Sequence, residues 1–241
     1  WVAGAALAKG PLPGTKPLEG PGELSARMVA GIDKFLTHET EHSVRQRRAF
    51  WHRDFSSPEA YDQSIATNRA DLRRMIGAVD ARVPVPGLEF VGGTAEKATV
   101  AEAEGYTVQA VRWPVFEGVY GEGLWLRPKG EPVARVVALP DADQTPEVLV
   151  GLAPGLPPEH QFARRLAENG CEVLVPVLVD RDDRWSGSQA LHRFTNQPHR
   201  EWIYRQAYEL GRHIIGYEVQ KVLAAVDFFA NENARATNDP P

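Results

Sequence analysis

Residues Cys171–Val179 read CEVLVPVLV, an almost unbroken apolar run. A strand wetted on one face alternates apolar and polar side chains. A run of this kind suits a strand covered on both faces, the environment of a parallel sheet. Pro176 has no N–H for a ladder, so it marks a bulge or the last ladder position. Upstream, ARVVAL (Ala134–Leu139) is a second short apolar strand, ended by Pro140. Between the two, a helix is expected from about Pro158 to Asn169, with Phe162 and Leu166 inward and Gly170 at its C′ position. Strand, helix, strand predicts parallel pairing through a right-handed crossover.

Working outward, Tyr106–Phe116 alternates loosely, and Gly118–Gly123 turns the chain into Leu124-Trp125-Leu126, an antiparallel hairpin. After Val179, residues His199–Ala230 form one long helical pattern carrying Trp202, Leu210, Ile214, Tyr217, Leu223, Val226 and Phe229. Gly211 and Gly216 mark a bend or a close packing contact in it. On the N-terminal side, Leu24, Met28, Ile32 and Phe35/Leu36 recur at helical spacing, an amphipathic helix from about Glu23 to Phe50. Ser56-Ser57-Pro58-Glu59 starts a second, with Tyr61, Ile65, Leu72 and Ile76 on its buried side. The expected organisation is a lead-in over residues 1–22, a helical flank over 23–87 and an α/β domain over 88–241.

Composition sets the outer bounds. The 241 residues are 43% hydrophobic and 24% charged, a globular balance. A chain this long buries enough surface to fold without disulfide or metal. Lys+Arg 27 against Asp+Glu 32 gives a net charge of -5, so no basic footprint for nucleic acid exists. The single Cys171 forms no internal disulfide. No apolar run approaches the ~20 residues of a membrane span.

Both ends carry expectations. Trp1–Ala8 (WVAGAALA) reads as the tail of a secretory signal with an A-x-A cleavage site, which places the mature protein in a periplasmic or extracellular space. The next stretch, Gly10–Gly22, is rich in Pro and Gly and reads as an extended lead-in. Asn238-Asp239-Pro240-Pro241 is a helix-stop signal normally followed by another element, so a longer protein is expected.

Chemistry is sought in the loops at strand carboxyl ends, where open α/β sheets bind ligands. Asp141, Asp143, Thr145 and Glu147 alternate like the start of a calcium loop. Pro146 stands where that loop needs Gly, and Leu152 where it needs a bidentate Glu. An oxyanion loop, with backbone N–H groups aimed at a developing negative oxygen, is the functional alternative to a solvated turn. Asp180, Arg181, Asp182, Asp183, Arg184 and Trp185 suit the rim of a pocket for a polar or sugar-like substrate, or a solvated loop. His38-Glu39-Thr40-Glu41-His42 spells H-E-x-x-H on a helix, so His38 and His42 could grip zinc with Glu39 as general base. The arginines after it, Arg45, Arg47 and Arg48, supply no third ligand. His160, His192, His199 and His213 stand apart from one another as surface or packing residues. No G-x-S-x-G elbow and no Gly-rich phosphate loop occurs, and no cofactor is expected.

ARVVALPDADQTPE (Ala134–Glu147), CEVLVPVLVDR (Cys171–Arg181) and TNQPHREWIYRQAYELGRHIIGYEVQKVLAAVDFF (Thr195–Phe229) carry a resemblance. They resemble the N-terminal half of α/β-hydrolase-fold esterases, nearest to the secreted acetyl xylan esterase and dienelactone-hydrolase-like group. The flank Glu23–Asp80, with its FSSPEAYDQS, looks like the extension that precedes such domains. The resemblance implies an incomplete α/β-hydrolase fold: a mostly parallel sheet with an N-terminal antiparallel hairpin, preceded by the helical flank. It implies a Ser or Cys nucleophile, an acid and a His in that chain order, all beyond Pro241. It implies one oxyanion N–H from Asp141 or Ala142, with no H-G-G-G run to fix which. The function so implied is hydrolysis of a small carboxylic or carbohydrate-linked ester; Asp180, Arg181 and Trp185, read above as a pocket rim, are then the expected substrate contacts. A zinc peptidase on His38 and His42 and a non-catalytic carbohydrate-binding domain are the alternatives.

Overall fold

The structure, a computed structural model, describes residues 13–16, 20, 22–93 and 97–238, without the side chains of 236–238. The Trp1–Ala8 signal reading and the Pro240-Pro241 stop signal lie outside the described residues. The chain divides into two compact units, residues 1–68 and 69–241.

The first unit holds α1 (Leu24–Gln46), a 3-10 turn (Arg47–Phe50) and the opening turns of α2 (Pro58–Met75). Glu23 caps α1 through a carboxylate that accepts the Ala26 N–H at 2.8 Å. The expected amphipathic stripe is present, yet α1 buries none of it: Met28, Ile32, Phe35 and Leu36 are exposed. On α2, Ile65 is buried as expected.

The second unit takes the rest of α2, on which Leu72, expected inward, is exposed. It is built on β1 (Glu89–Phe90), β2 (Thr99–Glu102), β3 (Tyr106–Phe116), β4 (Val119–Pro128), β5 (Arg135–Val137) and β6 (Glu172–Pro176). The sheet order is β1-β3-β4-β6-β5, with β2 also on β3. β5 and β6 pair in parallel, Val136 opposite Val173, while every other pairing in this sheet is antiparallel. The expected mostly parallel sheet is therefore corrected: one parallel pair continues an antiparallel meander. The hairpin turn is tighter than expected, because β4 resumes at Val119 directly after Glu117-Gly118.

β6 is buried throughout, and Pro176 occupies its last position. Successive side chains point to opposite faces. Val173 and Val175 join Val108, Leu124 and Leu126 under α3 (Pro146–Val150) and α4 (Phe162–Glu168). Leu174 points the other way, to Val111, Trp113, Val115 and Trp125. The helix expected from Pro158 begins as a 3-10 turn, and α4 turns Ala163 and Ala167 inward while Phe162, expected inward, is exposed.

A small ribbon, β7 (Gly187–Ser188) with β8 (Arg193–Phe194), precedes α5 (His199–Glu209) and α6 (Ile214–Asn238). The single long helix expected here is two. Gly211 adopts φ +68, which a Cβ would disfavour, and Arg212 N–H returns to Ala207 O at 2.9 Å to close α5. Gly216 is the close contact: a Cβ there would sit 2.5 Å from the Gly77 carbonyl. α6 lays Ala224, Ala225, Phe228 and Phe229 on the Trp113 face of the sheet. Of the apolar residues that carry the helical pattern, Leu210, Leu223 and Val226 are exposed.

Arg212 also grips Asp80, with Nε–H donating to Oδ2 at 2.8 Å and Nη2–H to Oδ1 at 2.5 Å. That hydrogen bonding holds the Asp80 carboxyl below its ordinary range. Asp80→Asn is expected to cost about 1–2 kcal/mol, the lower part of the range for charge-assisted bonds because both groups are partly exposed. A depressed carboxyl stabilises above its unfolded pKa, and the contribution disappears as pH falls through the folded value. The gap between wild type and Asp80→Asn, read by urea denaturation, therefore closes below about pH 4.

Candidate functional site

Because β5 and β6 run in parallel, the loops after them emerge at the same end of the sheet. After β5 the chain passes Pro140 into a turn in which Gln144 N–H donates to Asp141 O at 3.0 Å. Asp143 N–H donates to Asp141 Oδ1 at 3.2 Å. Thr145 and Pro146 then begin α3. After β6, the Val177 N–H donates to Glu122 O at 2.8 Å, and the Val179 N–H donates to Glu218 of α6 at 2.9 Å.

Arg181 joins the two loops. Its guanidinium donates to Asp143 Oδ2 at 2.6 Å and Asp141 Oδ1 at 3.1 Å, and its backbone N–H donates to Asp143 Oδ1 at 3.1 Å. The Asp143 N–H, then Arg181, holds the Asp141 carboxyl below the usual carboxylate range. The same pairing raises the Arg181 guanidinium. All three side chains are more than half exposed, so this network orients the loops and adds little stability.

The oxyanion candidates sit at this junction. Asp141 N–H faces Gln144 Oε1 at 3.3 Å, a long bond that a stronger acceptor would displace. The neighbouring Ala142 N–H lies beside the Asp141 carboxylate. On the other loop, Asp180 Oδ1 accepts the Asp182 N–H at 3.0 Å. The Asp182 carboxyl is lowered first by the Arg184 N–H. Trp185 is 67% exposed, its indole outward at the rim.

His199 is the residue the sequence reading missed here. It opens α5, is buried, and places Nδ1 2.6 Å from Asp180 Oδ1. Its Nε2 lies 2.8 Å from the Trp185 N–H. The available signal was positional: an Asp at a strand's carboxyl end and a His at the next helix's first turn.

His38 and His42 are far simpler. Their rings stack at 6.3 Å on exposed α1, with His38 Nδ1 3.3 Å from Glu39 and His42 Nε2 3.3 Å from Gln46. Among the described residues, no group of three or more His, Cys, Asp or Glu side chains is placed to hold a metal. Nor is any described helix long and apolar enough to cross a membrane.

No protein-family model matches this sequence, and no curated protein does. A crystal structure from Bacteroides fragilis, of a protein provisionally assigned as an acetyl xylan esterase, superposes with a TM-score of 0.52 at 18% identity. The match covers 74% of this chain and 45% of that one, so this chain spans less than half that protein's length. At this identity the likeness is one of fold.

Proposed function

We propose that this chain is the opening portion of a secreted or periplasmic serine-type ester hydrolase of the α/β-hydrolase superfamily, acting on carbohydrate-linked esters as an acetyl xylan esterase does. Its parts are a lead-in through residue 22, a helical flank over 23–87 and the hydrolase portion from 88. The observation that carries the reading is the edge of the sheet. β5, whose carboxyl end feeds the Asp141 loop, is the outermost strand among the described residues. α6 beside it keeps a second apolar face outward, Ile215, Leu223 and Val226. A further parallel strand alongside β5 would pair that edge and end beside the Asp141 loop. In this fold such a strand delivers the nucleophile on a sharp turn into a helix.

In the intact enzyme the nucleophile attacks the ester carbonyl and a His takes its proton. The negative oxygen is received in part by the Asp141 or Ala142 N–H. Asp180, Arg181 and Trp185 form the substrate rim, where an exposed indole suits the apolar face of a sugar and the charges suit its hydroxyls. The fold likeness to the Bacteroides protein supports this reading.

Two results test it. The coding sequence past Pro241 is expected to give a short apolar strand followed by G-x-S-x-G, and its absence would end the proposal. The 241-residue chain alone, with an open edge and an uncovered helix face, is expected to self-associate in sedimentation experiments. A monodisperse monomer with a sharp, cooperative melt would count against it.

A further inference from the structure

We propose that His199 is a positioning residue for the Trp185 rim, one that holds Trp185 only while its imidazole is neutral. The loop chemistry stands by itself; its consequence for substrate rests on the ester-hydrolase reading. An ionised carboxylate only accepts, so Asp180 at 2.6 Å fixes the proton on Nδ1. Nε2 then carries the lone pair, and the Trp185 N–H donates to it at 2.8 Å. The neutral Nδ1–H tautomer thus satisfies both neighbours at once. The imidazolium cannot, because its Nε2–H meets the Trp185 N–H donor to donor.

The surrounding charges decide which contact breaks. Asp180 Oδ1 accepts from Nδ1 whether or not the ring gains a second proton, so that pair persists. Asp182 offers the ring's residue its carbonyl, receiving the His199 backbone N–H at 2.6 Å, while its carboxylate is taken by Arg184. Arg200, next along α5, is directed to Val179 O at 2.8 Å and to Glu218 of α6 at 3.2 Å. Glu218 is balanced by Lys221 at 2.7 Å. Protonation therefore costs the Trp185 contact alone. Trp185 lies between two anchored points, Asp180 before it and Ser186 after it, whose carbonyl accepts the Thr195 N–H at 2.8 Å. Its release loosens the turn in which Ser186 N–H reaches Asp183 O.

Hydrogen exchange by mass spectrometry on the full chain tests this, following the peptide that contains Trp185 at pH 8 and pH 5 after correction for intrinsic exchange. Wild type is expected to lose about tenfold of its protection there on acidification, the scale of one lost hydrogen bond. His199→Gln, whose amide oxygen can accept the Trp185 N–H without titrating, should keep protection at both pH values. His199→Ala should lack it at both. Protection in wild type that does not change with pH would overturn the proposal. So would an acid-induced loss that persists unchanged in His199→Gln. A wrong ester assignment leaves these exchange results untouched, and their failure in a chain shown to be an esterase removes this inference alone.

Discussion

Glu172→Ala should lower stability by about 3 kcal/mol or more, read as a shift in the urea midpoint followed by tryptophan fluorescence. Glu172 opens β6 at 5% exposure. Its two carboxylate oxygens accept the Trp125 Nε1–H at 3.0 Å and the Arg135 Nε–H at 2.8 Å. The opposite ends of that bridge lie on β4 and β5, so one carboxylate ties three neighbouring strands. Arg135 also donates to Asn233 on α6. Truncation leaves the guanidinium, 19% exposed, without its anion and the indole N–H without an acceptor. A buried pair broken on one side costs about 3–5 kcal/mol. The low end applies here, because Arg135 and Glu172 line an open polar cavity of about 900 Å³ that lets water replace part of the lost contact. Glu172→Gln, which keeps an acceptor but not the charge, is expected to cost about 1.5–3 kcal/mol.

Trp113→Ala should cost about 3–5 kcal/mol in the same measurement. Trp113 is fully buried at the centre of the α6 face, against Val111, Val115, Leu174 and the α6 residues Ala224 and Phe228. Its ring passes over Gly121 so closely that a Cβ there would meet Cζ2 at 2.6 Å. Its Nε1–H donates to Lys221 O of α6 at 3.1 Å. The ring thus fills the gap between sheet and helix and also pins the helix. Deleting it opens a cavity that β3, already paired on both sides, cannot close. Trp113→Phe keeps most of that volume and should lose about 1–2 kcal/mol. Equal losses for Phe and Ala would mean that the hydrogen bond, not the packing, holds α6.

The strands were legible because burial leaves a compositional mark. CEVLVPVLV announces a doubly covered strand, and Pro176 can only close it; both features recur in β6. The sheet is less parallel than strands alternating with helices suggest, because only β5 and β6 are joined through a helical crossover. Helix faces were legible only where one side is polar. α6 carries apolar residues on more than one face, and hydrophobicity alone favours Leu223 and Val226 as the inner residues. The structure puts Ala224 and Ala225 inward instead. They lie beside Phe228 and Phe229, whose rings share that face of the sheet with Trp113 and Trp125. On α4, Ala163 is inward and Phe162 outward.

At the candidate site, the loops were legible as strand-end loops, but their meeting was not. Arg181 reaches Asp141 and Asp143 across about forty residues, and no local pattern encodes such a pairing. The Asp180–His199 contact is equally non-local, and it hides behind a helix start that looks ordinary. It also ties Asp180 to the Trp185 backbone through one imidazole.

Turnover of 4-nitrophenyl acetate tests the esterase proposal most directly, compared between the 241-residue chain and the chain extended past Pro241 far enough to include the nucleophile, acid and His that the proposal places there. Background-level hydrolysis by the first and serine-dependent hydrolysis by the second are the expected results. Clear turnover by the 241 residues alone, or none by the longer chain once folded, would contradict the assignment of the attacking group to a strand beside β5.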